Sequence, residues 1–490
     1  MNIAVLIGTG YFGEDIFHKL PWVRHMDQDY NVFVASRIDP EIHLSQPVEY
    51  LFDSKDIDML KSSLNELGSM TKFEFIYSSS FFKKSYSEKE ILNIQQWLGV
   101  SFNYISSFDR RFYDYDKISD SRDTAKVFNY IASLVSYFKD FFENNDIDCF
   151  INTLEDDAFS VVAYFVAKKL NIRVLGLMRS RFPRDGLIFC DDYKHICTWN
   201  SKKEISLEDI DEIFKEKRFL GEKNIEKTRS ALHLLSLPKK LRCIPWIFVY
   251  NKLLKNIREV YPYEMLIMPK MSLFDSSRNL IRRFLRKTFI TGLISKDVDD
   301  RYFVFPLHYM EDAQLTFREP LTDQFKLIKD ISRALPTGYY LYVKPHPHYL
   351  GSDVSLRKIR YLSKIHNIKI IDPLTPIIDL ISNAAGVITI NSSTGFEALI
   401  KGVPVLSFGH EFYSKEDLCY IVRDLNILSE TLLEMLHTQK NRRLIQDFIK
   451  RVYNNTIWIK SYSNDFVPFG ITNEDGVKIS EALKIILGGS

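Results

Sequence analysis

One pattern constrains this chain more than any other, and it occurs twice. Short apolar runs rich in β-branched and aromatic residues alternate with longer amphipathic segments. In the first half the runs are Ile3–Ile7, Val32–Ser36, Phe73–Tyr77, Cys149–Asn152 and Arg173–Leu177, with helical periodicity over Lys126–Asn144 and Ala158–Leu170. Such alternation predicts βαβ units and a parallel sheet. It restarts at RYFVFPLHY and continues through GYYLYVKPHPHY, NIKIID, GVITINSS and VPVLSFG, with helices expected over Gln324–Arg333, Pro376–Asn383 and Gly395–Ile400. The expected fold is α/β: two Rossmann-like, doubly wound domains facing a central cleft, followed by a C-terminal helix over GVKISEALKIIL. The boundaries are set at 1–297 and 298–490, with a helical, basic insertion over about 201–295 in the first domain.

Charge and cysteine usage exclude several classes. The formal net charge of the 490 residues is +2, so no bulk field favours nucleic acid as a partner. The five cysteines (Cys149, Cys190, Cys197, Cys243 and Cys419) are scattered without a C-x-x-C pair, which speaks against a zinc site and for reduced thiols. The N-terminus lacks the basic-then-apolar pattern of a signal peptide. No run reaches the roughly 18 apolar residues of a membrane span, so the expected location is cytoplasmic. Two stretches, Lys239–Arg258 and Arg278–Arg286, mix Lys and Arg with bulky apolar residues at helical spacing. They read either as solvated helices or as a surface that rests peripherally on anionic lipid at the inner face of the cytoplasmic membrane.

The chain opens with MNIAVLIGTGYFGEDIF, a strand followed by Gly8, Gly10 and Gly13 at dinucleotide-turn spacing. Glycines there allow a tight turn and the close approach of a pyrophosphate. The next strand, however, ends in Ser36-Arg37 rather than an acidic residue, and Pro21-Trp22 is expected to interrupt the first helix. The turn, with Gly10 and Tyr11, is therefore read as lining the acceptor side of a cleft, and no NAD(P) cofactor is assigned.

The second half carries denser chemistry. In YVKPHPHYLG a strand ends in Lys344-Pro345-His346-Pro347, where two prolines fix the loop and Lys344 and His346 can donate to a phosphate. In GVITINSSTGFEALIKGVPVLSFG a buried strand runs into Asn391, Ser392, Ser393, Thr394 and Gly395, and a helix begins. Hydroxyls and amides at a helix start form an anion site, and Glu397 beyond them can accept from ribose hydroxyls. Pro306-Leu307-His308 also follows a strand, with Glu311 and Asp312 close behind. In the first domain Glu155-Asp156-Asp157 stand at another strand end. Carboxylates so placed in a cleft can serve as base or nucleophile; the competing reading is a charge at a helix N-terminus.

Together these stretches resemble the capsule polysaccharide biosynthesis proteins, the group that includes retaining β-Kdo transferases. The resemblance rests on PLHYMEDAQL, on the V-K-x-H-P of Val343–Pro347, and on the Asn391–Tyr413 block with its Thr-Gly-x-Glu-Ala-Leu and Gly-x-Pro-Val. It covers about Tyr302–Tyr413; in residues 1–190 only Glu155 and RSRFPRDG, with Arg179 and Arg181, are similar to family features. The resemblance implies a GT-B fold, no metal, no cofactor and a nucleotide sugar held by the C-terminal domain. It places the nucleophile at Asp312, with Glu311 as its rival, acceptor activation at Glu155, and donor binding at His308, Lys344, His346, Asn391–Gly395 and Glu397. The first-choice donor is CMP-Kdo and the acceptor a glycan or lipid-linked glycan. His308 stands where Kdo transferases often have Gln, which leaves another CMP-ulosonic acid or a different activated sugar open. A sugar-nucleotide 2-epimerase, a teichoic-acid-type glycerophosphotransferase and an inactive nucleotide-sugar-binding scaffold are the alternatives.

Overall fold

The computed structural model describes residues 1–7, 14–36, 62, 65–66, 69–70, 72–76, 85–107, 124–152, 157–180, 186–199, 205–206, 292–295, 301–308, 323–346, 356–415, 417–437, 440–459 and 472–488. The first sheet is built from β1 (Asn2–Ile7), β2 (Asn31–Ser36), β3 (Phe73–Phe75), β4 (Cys149–Asn152), β5 (Arg173–Arg179), β6 (Gly186–Asp191) and β7 (His195–Ile196). The second holds β8 (Tyr302–Pro306), β9 (Tyr340–Lys344), β10 (Ile368–Ile370), β11 (Gly386–Thr389), β12 (Val405–Ser407) and β13 (Tyr420–Ile421). A last short strand, β14 (Ile457–Trp458), returns to the first sheet, whose order is β14-β6-β5-β4-β1-β2-β3 with β7 beside β6.

The helices are α1 (Glu14–Met26), α2 (Glu88–Leu98), α3 (Phe102–Ser106), α4 (Thr124–Asn144) and α5 (Ala158–Lys169) in the first domain. In the second they are α6 (Gln324–Ala334), α7 (Leu356–Leu362), α8 (Ile377–Ser382), α9 (Ser393–Ile400), α10 (Leu428–His437) and α11 (Arg442–Asn454), and α12 (Asn473–Ile486) ends the chain.

Strands buried on both faces need helices on both faces. One face of the first sheet packs on the aromatic stripe of α4, where Phe138 and Phe142 meet Phe150 and Phe159. The other face packs on α1 and α12 through Val23, Ile479 and Leu483. The second sheet is parallel throughout, in the order β10-β9-β8-β11-β12-β13. It lies between α8, α9 and α11 on one side and α6, α7 and α10 on the other.

Each sheet winds outward both ways from its first strand. Strand order reverses between β1 and β4 in the first sheet and between β8 and β11 in the second. The two crossovers leaving such a pair lie on opposite faces, which opens a crevice at the carboxyl ends of the strands. The expected arrangement of two Rossmann-like, doubly wound units is therefore present.

Three expectations are corrected. The second domain does not extend to residue 490: β14 pairs antiparallel with β6, and Ile479, Ala482 and Leu483 of α12 fill the first domain's core. Pro21 does not interrupt the first helix, which continues to Met26 with Trp22 and Val23 buried against the sheet. Burial of two such side chains, at about 1.5–3 kcal/mol each, is enough to hold a helix past a proline costing about 3 kcal/mol. Finally, the first sheet is mixed rather than parallel, because β5 and β6 form an antiparallel pair that the sequence pattern did not reveal.

Three of the cysteines, Cys149, Cys190 and Cys419, are buried and unbridged, while Cys197 is half-buried. Burial pushes the Cys149 and Cys419 thiols up to about 12, which makes them poor nucleophiles. Among the described residues no helix is long and apolar enough to cross a membrane. The basic stretches Lys239–Arg258 and Arg278–Arg286 lie outside the described residues.

The domains share one core: Ile188, Cys190 and Ile196 pack with Phe412, Phe448 and Val452. Polar bonds lock the same seam. The Trp199 backbone N–H donates to Asn455 Oδ1 at 2.9 Å, and the Trp199 indole donates to the Asn455 carbonyl at 2.8 Å. Asn455→Ala strands one half-buried donor. It is expected to destabilise the protein by about 1–3 kcal/mol in urea denaturation; an unchanged midpoint would show that this bond does not hold the seam.

Candidate functional site

The site forms where β8 and β11 lie side by side. β8 ends in Pro306 and the chain turns out through Leu307 to His308, which is buried. Gln324, the first residue of α6, clamps the His308 backbone from both sides. Its Nε2 donates to the His308 carbonyl at 2.9 Å, and its Oε1 accepts the His308 N–H at 3.2 Å. With the backbone held, His308 Nε2 accepts the Asn391 backbone N–H at 3.4 Å, across the strand reversal. An accepting Nε2 places the proton of the neutral ring on Nδ1.

Asn391 is buried beneath the loop that leaves β12. A β-carbon on Gly409 would lie 1.8 Å from Asn391 Oδ1, so this side chain fits only because residue 409 has none. Arg423 braces the same loop by donating to the carbonyls of Phe408 and Gly409, with His410 Nδ1 3.0 Å from its guanidinium.

α9 begins directly after Asn391. Ser392 is its N-cap: its Oγ accepts the Thr394 N–H at 3.2 Å and lies 3.1 Å from Thr394 Oγ1. The Ser392 N–H donates to Thr389 Oγ1 at 2.9 Å, and Tyr413 Oη donates to the Ser392 carbonyl. The expected run Ser392, Ser393, Thr394, Gly395 thus stands at the amino end of a helix, where the dipole is positive. Glu397, one turn further, is buried.

Lys344 ends β9, one strand away. Its ammonium is turned inward and buried, and Nζ donates to the Pro373 carbonyl at 2.9 Å. Burial pushes its pKa down to about 8, against the opposing pull of Asp372 and Glu397. Lys344 therefore supports the loop at Pro373 and the buried Glu397 rather than standing open to a phosphate. His346 is half-buried two residues beyond.

The structure thus brings His308, Asn391–Gly395 and Glu397 to one crevice, with Lys344 beneath it. Glu311, Asp312, Glu155, Gly10, Tyr11 and Arg181 lie outside the described residues, and Arg179 is placed only as the last residue of β5. The chain leaves β1 at Ile7 and β4 at Asn152 side by side, at the first sheet's own strand reversal. Sequence reasoning missed Gln324, Gly409 and Arg423. Gln324 left a faint signal, a polar residue placed directly after the N-cap Asp323; the other two act through backbone carbonyls and a close approach that no side-chain pattern announces.

Residues 278–457 match the sequence model of a family described as capsule polysaccharide biosynthesis protein. The second domain carries that family's pattern. Over 135 residues the chain is 30% identical to the capsule polysaccharide export protein KpsS of Escherichia coli, covering 26% of this chain and 34% of that protein. It is also 30% identical over 135 residues to protein FixF of Sinorhizobium fredii, covering 26% of this chain and 32% of that protein. The matched stretch is thus about a third of either curated relative. Among solved structures, the β-Kdo 2,7 transferase KpsC of Thermosulfurimonas dismutans matches at 13% identity and a TM-score of 0.31, over 70% of this chain and 88% of that one. The UDP-GlcNAc 2-epimerase of Methanocaldococcus jannaschii matches at 13% identity and a TM-score of 0.25, over 99% of both chains.

Lys344 supplies a test of the site's interior. Its pKa is about 8 in the folded chain against an ordinary 10.5, so between those values the unfolded chain binds the proton and the folded one does not. Its contribution to stability is therefore present above about pH 10.5 and lost as pH falls through about 8. At 1.36 kcal/mol per unit this amounts to about 3 kcal/mol. In urea denaturation the stability of the wild type relative to Lys344→Met is expected to rise across that window. A difference independent of pH would show that the lysine is not buried as a cation.

Proposed function

We propose that this chain is a glycosyltransferase of surface polysaccharide biosynthesis that binds a nucleotide sugar at the strand reversal of its second sheet. The observation that carries the reading is the His308–Asn391 junction leading directly into the Ser392-capped start of α9. A crevice at a strand reversal, backed by a helix amino end and hydroxyl side chains, suits a nucleotide phosphate without a metal. In this reading Ser392, Ser393 and Thr394 receive the phosphate, His308 and His346 flank it, and Glu397 lies on the ribose side. Lys344 acts from beneath by holding the loop at Pro373.

The chemistry follows the resemblance to retaining β-Kdo transferases. Asp312 attacks the anomeric carbon, the nucleotide leaves with the bonding electrons, and a covalent glycosyl ester forms. An acceptor hydroxyl, relieved of its proton by Glu155, then displaces Asp312, and two inversions give net retention. Glu311 is the rival nucleophile. Gly10, Tyr11, Arg179 and Arg181 line the acceptor side. The first-choice donor is CMP-Kdo and the acceptor a glycan or lipid-linked glycan. The basic stretches would dock the protein on the inner face of the membrane.

Two measurements test this. CMP titrated calorimetrically in the presence of EDTA is expected to bind, and His308→Ala and Ser392→Ala are each expected to weaken it by about 1–3 kcal/mol. Binding that requires a divalent cation, or that neither substitution alters, would remove the pocket assignment. With CMP-Kdo and acceptor, Asp312→Asn is expected to retain CMP binding and lose transfer by several orders of magnitude. Near-wild-type turnover in that variant, or a product of inverted configuration by NMR, would contradict the mechanism.

A further inference from the structure

The hairpin of β6 and β7 carries an unusual turn. Asp192 and Tyr193 both have positive φ, +49° and +61°, and the Lys194 N–H closes the turn on the Asp191 carbonyl at 3.0 Å. Left-handed backbone is common for Gly and tolerated by Asp, but it is costly for a bulky aromatic residue. Such a conformation persists only where the surroundings over-determine it, and functional sites are where it concentrates.

Three contacts over-determine it here. The Tyr193 ring is buried flat on β5 over Gly176, where a β-carbon would lie 2.3 Å from its Cδ1. Gly176 pairs with Asn152 on one side and Cys190 on the other, so the ring spans the whole width of β5. Beyond it, Tyr193 Oη donates to the Asn152 carbonyl at 3.1 Å. That carbonyl is the last of β4, at the strand reversal of the first sheet. The Asn152 side chain adds little anchorage: its Nδ2 reaches the Ser160 carbonyl only at 3.5 Å, and its buried Oδ1 has no donor among the described residues. The turn itself is held in place by Asp192, which accepts from Tyr164 Oη at 2.9 Å and pairs with Lys168 at 3.2 Å.

The other side of the hairpin is fastened to the second domain. Arg451 of α11 donates to the Ile196 carbonyl at 3.1 Å, and Cys190 and Ile196 lie in the core shared with Phe412 and Phe448. Lys194, next to Tyr193, is near enough to His410 to help Arg423 and burial hold that imidazole below its ordinary range.

We propose that Tyr193 is a positioning residue: a strut across β5 that fixes the carboxyl end of β4, the acceptor side of the cleft, relative to the domain that binds the donor. The inference rests on the glycosyltransferase reading for its functional consequence, while the strut itself is a property of the fold. It explains why a strained tyrosine stands in a tight turn where glycine or asparagine would fit the backbone better.

The test combines hydrogen–deuterium exchange over Ile151–Asn152 with steady-state transfer in the full chain, using CMP-Kdo and lipid-free oligosaccharide from the source organism's surface polysaccharide. Tyr193→Phe keeps the ring and removes the bond. It is expected to speed exchange at the end of β4 by about five- to tenfold and to lower kcat/KM for the acceptor by a similar factor. CMP affinity by calorimetry is expected to stay within twofold. Gly176→Ala, which displaces the ring, is expected to give the same split between acceptor and donor. Unchanged exchange in folded Tyr193→Phe, or parallel losses in CMP affinity and acceptor kcat/KM, would overturn the proposal. A wild type that binds CMP and transfers nothing would sink the transferase reading instead, and the exchange comparison would still decide the strut.

Discussion

The rest of the structure depends on a topological constraint, the reversal of strand order beside the first strand of each sheet. A right-handed crossover can cover only one face of a parallel sheet at a time. Winding outward in both directions from β8 therefore sends the chain to opposite faces after β8 and after β11. Those departures open a crevice at the sheet's carboxyl edge. Among the described residues a polar junction bridges this edge, the Asn391 N–H on His308 Nε2. Gln324 fixes one partner of that junction, and the absence of a side chain at Gly409 makes room for the other.

The same logic applies to the first sheet, where β1 and β4 part. What differs is how the two crevices are held relative to one another. The seam is built by chain segments that leave one domain for the other: β6 and β7 pack into the second domain's core, while β14 and α12 return to the first. Two exchanges across one seam make the domains parts of a single body, and polar bonds at Trp199, Asn455 and Arg451 fix its register. In the proposed transferase reading this seam would hold the donor and acceptor walls in fixed relation, as group transfer between two bound molecules requires.

Much of this was legible in the sequence. The parallel core strands were, because residues buried on both faces read as continuous apolar runs: Ile3–Ile7, Cys149–Asn152 and Gly386–Thr389 all appear where the pattern puts them. The Ser392 cap was legible because a hydroxyl run after a buried strand has few other uses. The β5–β6 hairpin was not, since GLIFCD is too short and too apolar to show its direction. The return of the chain to the first domain was invisible for a similar reason: β14 is two residues long, and an amphipathic helix such as α12 does not say which core it covers. Lys344 reads as a phosphate donor because it ends a strand at the sheet's carboxyl edge, where ligands bind in α/β folds. Its inward turn depends on a carbonyl at Pro373, 29 residues away in the chain.

The proposed nucleotide site is the second sheet's reversal and not the glycine turn that opens the chain. The most direct measurement is a crystal structure of the full chain soaked with CMP. Its phosphate is expected against Ser392–Thr394 at the amino end of α9, with His308 and Asn391 lining the crevice. Nucleotide density at the carboxyl end of β1, with the second sheet's crevice empty, would contradict it.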